Sequence, residues 1–83
     1  MEKTIYTTEY AALLQLLKTT REQKGYTQID LAKKLGQSQS FVSKIECGDR
    51  RIDIVQLRTI CTVLGISLVE FVQQWERQVA QAT

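Results

Sequence analysis

Proline is absent from this chain of 83 residues, histidine is absent too, and glycine occurs only four times, each glycine standing alone. Without proline and without glycine-rich or serine-rich runs there is no linker or low-complexity segment, so the chain reads as one domain with a single small core. The missing histidine removes a common catalytic base and a common metal ligand. Only Cys47 and Cys61 could supply thiolates, and they fall in different predicted helices, so no metal site is expected. In a cytosolic chain both should be reduced thiols, Cys61 in the core and Cys47 at least partly exposed. Apolar runs are too short to span a bilayer, and the N-terminus lacks the basic-then-apolar order of a signal peptide. A cytoplasmic protein with no membrane partner is the expectation. With no glycine-rich phosphate loop and little room for a substrate cavity, neither enzyme activity nor a cofactor is expected. Charge of one sign is lacking as well. Eleven Lys and Arg against nine Asp and Glu leave +2, so any case for a nucleic-acid partner rests on where the cations sit.

What the sequence does have is helical periodicity. Apolar residues recur at i, i+3 and i+4 along nearly its whole length, which points to an all-α fold stabilised by packing amphipathic faces. Residues 27–48, TQIDLAKKLGQSQSFVSKIECG, carry the densest pattern. Leu31, Ala32 and Leu35 are apolar at helical spacing, Gly36 stands where a first helix must stop, and Val42 and Ile45 resume the stripe. Two helices crossing steeply over a short turn need a small side chain at the contact, which Ala32 supplies. Gly36 can take the left-handed conformation that ends a helix. This is the pattern of a helix-turn-helix spanning residues 27–47.

These residues carry a resemblance. TQIDLA at residues 27–32, the turn glycine Gly36 and VSKIECG at residues 42–48 resemble the DNA-binding core of the Xre/Cro family of phage and bacterial repressors. Leu17 and Arg21 before the motif, GYTQ at residues 25–28 and LGIS at residues 64–67 extend the likeness over residues 14–71. The resemblance implies a five-helix bundle of the lambda-repressor-like DNA-binding type. It also implies a bacterial or phage transcription regulator, most often a repressor.

Taken in order, residues 1–8 read as a polar arm with Ile5 and Tyr6 as its apolar anchors and Lys3 as its single cation. Residues 9–80 form the DNA-binding domain, and residues 81–83 are a tail. The first helix should start near Thr7 or Thr8, end before Gly25, and bury Leu13, Leu14 and Leu17. Capping boxes are expected at Thr27 with Asp30, Asp53 with Gln56, and Ser67 with Glu70, opening the second, fourth and fifth helices. The third helix follows Ser38. The fourth should turn Ile54, Leu57, Ile60, Cys61 and Leu64 inward. Ile29 should be exposed, as a scattered surface hydrophobe or part of a partner surface.

Setting Val42 and Ile45 inward rotates Ser40, Ser43, Lys44 and Cys47 outward, since successive residues turn by about 100°. Gln39 projects from the tip of the third helix. A short, polar, unobstructed face suits a major groove, so Gln39, Ser40, Ser43 and Lys44 are the candidate base readers, Lys44 toward guanine O6 and N7. By resemblance Gln28 and Gln39 hydrogen-bond to each other, one touching phosphate and the other adenine. Arg50 and Arg51 follow the third helix and are phosphate ligands by the same resemblance, together with Gln28, although Asp49 beside them repels phosphate. Arg21 and Glu46, again by resemblance, form a structural ion pair. On the fifth helix Phe71, Trp75 and Val79 lie on one stripe. Trp75 and Val79 either cover the first helix and Tyr6 or, with Phe71, form a homodimer interface, and a twofold contact is the expectation here. Double-stranded DNA with an inverted repeat is the expected partner. An antitoxin-like protein-binding module of the same fold, with a toxin as partner, is the alternative.

Overall fold

A computed structural model describes residues 7–82. Five helices follow one another: α1 (Thr8–Gln23), α2 (Gln28–Leu35), α3 (Gln39–Glu46), α4 (Ile54–Leu64) and α5 (Leu68–Ala82). No strand occurs among the described residues. Residues 1–6 of the expected arm (1–8) and Thr83 of the expected tail (81–83) lie outside them.

Side chains that bond to backbone groups otherwise left open set the helix starts. Thr7 accepts from the Tyr10 amide at 3.1 Å to open α1, and Ser38 accepts from the Phe41 amide at 3.2 Å to open α3. At α2 the box is reciprocal: the Asp30 amide donates to Thr27 Oγ1 at 3.0 Å and the Thr27 amide to Asp30 Oδ2 at 2.9 Å. Asp53 and Gln56 repeat it at α4, at 2.7 and 3.2 Å. Ser67 accepts from the Glu70 amide at 3.0 Å where α5 begins. Gly36 closes α2 in the left-handed region (φ 69°), and the next amide, Gln37, reaches back to the Ala32 carbonyl at 2.9 Å.

The Asp30 carboxyl is held below its ordinary value of 3.8, first by the Thr27 backbone hydrogen bond and then by the Thr27 hydroxyl. A depressed folded value means that this capping contribution is complete above the ordinary aspartate range and lost as pH falls through the depressed value. Following the Asp30 carboxyl carbon by NMR through an acid titration should give a midpoint below 3.8. A midpoint at or above it would mean that the box does not persist in solution.

The core is built from Leu17, Leu31, Ile45, Cys61 and Phe71, each under 2% exposed, with Leu14, Leu16, Ala32, Val42, Leu57, Ile60 and Leu64 around them. Burial pushes the Cys61 thiol up to about 11, and neither cysteine is in a disulfide. Two inward assignments change. Ile54 is 60% exposed, because it is the first residue of α4 and that end of the helix has not yet reached the core. Leu16 is buried and Leu13 only half-buried, so α1 is rotated slightly from the predicted stripe. Ile29 is half-exposed, as expected. No single helix among the described residues is long and apolar enough to cross a bilayer.

Candidate nucleic-acid interface

Val42 and Ile45 anchor α3, at 3% and 1% exposure, and their burial orients the opposite face. Gln39, Ser40, Lys44 and Cys47 are exposed, whereas Ser43 is half-buried, nearer the domain than the rotation predicts. The face therefore consists of short polar side chains with one long cation.

Beyond α3 the backbone turns through Gly48 (φ 87°), and the Arg50 amide donates to the Lys44 carbonyl at 3.0 Å. This turn brings both arginines onto aromatic rings. The Arg50 guanidinium lies 4.9 Å from the centre of the Phe41 ring, and that of Arg51 5.3 Å from the Tyr10 ring, within range of cation–π attraction. The Tyr10 hydroxyl in turn accepts from the Ile52 amide at 3.4 Å. Phe41 and Tyr10 thus act as platforms for the two cations. No spacing in the sequence marks them, since the pairings cross from loop to helix. Asp49 is exposed beside them. On α2, Lys33 and Lys34 are exposed, and Lys34 Nζ sits 5.2 Å from the centre of the Tyr26 ring.

At the heads of α2 and α3 the two glutamines meet, Gln39 Nε2 donating to Gln28 Oε1 at 3.3 Å. Gln28 Nε2 donates onward to Glu46 Oε1 at 3.0 Å. Behind them lies the ion pair: Arg21 Nε to Glu46 Oε2 at 2.6 Å and Nη2 to Oε1 at 3.1 Å, with the two side chains only 7% and 5% exposed. Such a forked arrangement satisfies both charges where water is excluded. Arg21 also clasps Tyr26 twice, its Nη1 donating to the Tyr26 carbonyl at 2.7 Å and its own carbonyl accepting from the Tyr26 amide at 3.2 Å. The pair expected between α1 and α3 is present, and it also holds the segment leading into α2. The link from Gln28 to Glu46 joins side chains 18 residues apart, a separation that no local spacing marks.

The fifth-helix stripe divides. Phe71 is fully buried, at 0% exposure, and packs in the monomer core, so it has no surface to offer a second copy. Trp75 is half-buried against that core, and its indole N–H donates to the Glu9 carbonyl at 2.9 Å, which docks α5 on the start of α1. Val79 is half-buried. Tyr6, its other suggested neighbour, lies outside the described residues.

A capped α2, a glycine turn and a polar, outward-facing α3 define a helix-turn-helix DNA-binding domain. With the helix-turn-helix family profile matching residues 17–71, more than half of its length, the chain belongs to the Xre/Cro-type helix-turn-helix family of DNA-binding transcription regulators. A solved XRE-family like protein from Pseudomonas syringae pv. tomato is 39% identical and superposes with a TM-score of 0.82 over 90% of this chain and 92% of that one. The clp gene regulator ClgR from Corynebacterium glutamicum is 28% identical, with a TM-score of 0.69 over 92% of this chain and 85% of its own. Among curated proteins none matches the chain.

Proposed function

We propose that the chain is a transcriptional repressor that binds an inverted-repeat operator as a homodimer, placing α3 of each protomer in the major groove. The observation that carries this reading is the glutamine pair at the heads of α2 and α3, bonded to each other at 3.3 Å with Gln39 exposed. A carboxamide there has a donor and an acceptor to offer adenine N7 and N6. In this reading Gln39, Ser40, Ser43 and Lys44 face bases, while Gln28, Arg50 and Arg51 hold phosphates. Residues 9–80 form the binding unit. The described residues measure 36 × 31 × 21 Å, a size compatible with two copies side by side on successive major grooves about 34 Å apart. With Phe71 in the core, we assign the twofold contact to the outer side of α5 around Val79. Repression follows because a bound dimer can occlude a promoter without an activating surface.

The test is selection from a pool of random duplexes, with affinity for the winners followed across salt concentration. A palindromic winner and a steep salt slope support the reading. On that operator, Lys44→Ala should cost about 1–3 kcal/mol and relax preference at one base pair, whereas Arg51→Ala should weaken all sequences alike and lower the salt slope by about one unit. An unchanged affinity and base preference for Lys44→Ala would remove Lys44 from the base-reading set. Should no sequence be enriched, a toxin-like protein partner becomes the better reading, and Ile29, half-exposed on α2, is the residue that favours it.

A further inference from the structure

A glutamine carboxamide has nearly the same shape either way round, and in water it turns over freely. At the head of α3 this freedom is removed from within the protein. Both Glu46 oxygens accept from the Arg21 fork, and a carboxylate in that setting has no proton to donate. Gln28 must therefore present its amino group, and Nε2 donates to Glu46 Oε1 at 3.0 Å. That choice turns Gln28 Oε1 toward α3, where it can only accept, and Gln39 answers with Nε2 at 3.3 Å. Reversing Gln28 would set two acceptors against each other beside a carboxylate that is 5% exposed, where water cannot relieve the conflict. Gln39 is left with Oε1 and one N–H for whatever lies outward, in one order along the helix.

We propose that Glu46 is a positioning residue that sets, through Gln28, the polarity of the Gln39 carboxamide and thereby narrows the base pairs that Gln39 accepts. Adenine offers a donor at N6 and an acceptor at N7, so it fits an amide of one polarity at a given place in the groove. The locked amide refuses a pair that presents donor and acceptor in the reverse order, where a free amide would turn over to meet it. The buried ion pair then contributes to specificity without touching DNA. This inference rests on the reading of Gln39 as a base contact.

Three variants separate the possibilities: Gln28→Leu, which leaves the Arg21–Glu46 pair in place, Glu46→Gln, whose amide can donate or accept, and Gln39→Ala. Each is measured on the selected operator and on operators carrying the other three pairs at the position most sensitive to Gln39. The Gln39 carboxamide protons are followed by NMR in the DNA-free protein. In the wild type one of these protons should show the shift of a hydrogen-bonded donor, and in Gln28→Leu both should move to solvent-exposed values. Gln28→Leu should bind all sequences more weakly through its lost phosphate contact. Beyond that, its preference for the correct pair over the reversed one should fall roughly tenfold, the worth of one good bidentate contact. Glu46→Gln should lose the same preference, and Gln28→Leu decides the matter if Glu46→Gln fails to fold. If Gln39→Ala loses that preference while Gln28→Leu keeps it, base reading stands and the polarity relay is overturned. If Gln39→Ala changes no preference anywhere, the base-reading assignment itself falls and takes the relay with it.

Discussion

Phe71→Ala should destabilise the protomer itself rather than separate a dimer. Phe71 is the largest fully buried side chain among the described residues, and removing a core phenylalanine typically costs about 3–5 kcal/mol, counting both the lost transfer from water and the cavity left behind. A domain typically holds roughly 5–15 kcal/mol in total, so the loss is a large share of the stability of one protomer. Urea unfolding followed by helical circular dichroism should show a much lower midpoint for the variant. An interface residue would behave differently, with the stability of the isolated protomer kept and only the dissociation constant moved. A Phe71→Ala protein with the wild-type unfolding midpoint at low concentration would overturn its placement in the core.

Removing one side of the buried ion pair should be equally costly. Arg21→Ala leaves the Glu46 carboxylate, 5% exposed, with the neutral Gln28 amide, and it strips the Tyr26 carbonyl of its 2.7 Å donor. Breaking such a pair from one side typically costs about 3–5 kcal/mol, because the surviving charge stays desolvated. The double variant Arg21→Met with Glu46→Leu should recover much of that loss, since two apolar groups of similar volume leave no orphaned charge. The recovery is what distinguishes a stranded charge from a generally damaged core. Equal losses for the single and double variants, read from the same urea titrations, would assign the cost to packing instead.

Local features of the fold were legible because the interactions that make them span three to six residues. Thr27 with Asp30 and Asp53 with Gln56 form their boxes as the spacing predicts, and Gly36 and Gly65 end their helices in the left-handed region. Periodicity placed Val42, Ile45, Leu57, Ile60 and Leu64 in the core. It failed where position along a helix mattered as much as rotation around it. Ile54 lies on the inward stripe of α4 but before the helix meets its neighbours. Phe71 lies on a stripe that also reaches the surface, and the pattern alone cannot say which of its members the core claims.

The candidate interface was legible through resemblance more than through spacing. Nothing local pairs Arg21 with Glu46, 25 residues apart, and the likeness to a known family supplied that expectation. The aromatic platforms under Arg50 and Arg51 and the bond from Gln28 to Glu46 depend on how the loop and three helices come together, so they emerge only in three dimensions.

Helix α3 divides its two tasks between its two faces. Gln39, Ser40 and Lys44 are exposed, while the packing of that helix falls to Val42 and Ile45. Selection can therefore act on the outer positions almost independently of the scaffold. On the proposed reading, a handful of codon changes would let a duplicated copy acquire a different set of target genes while inheriting an intact fold. Drift at Val42 or Ile45, by contrast, would be removed as misfolding before any new target could be sampled.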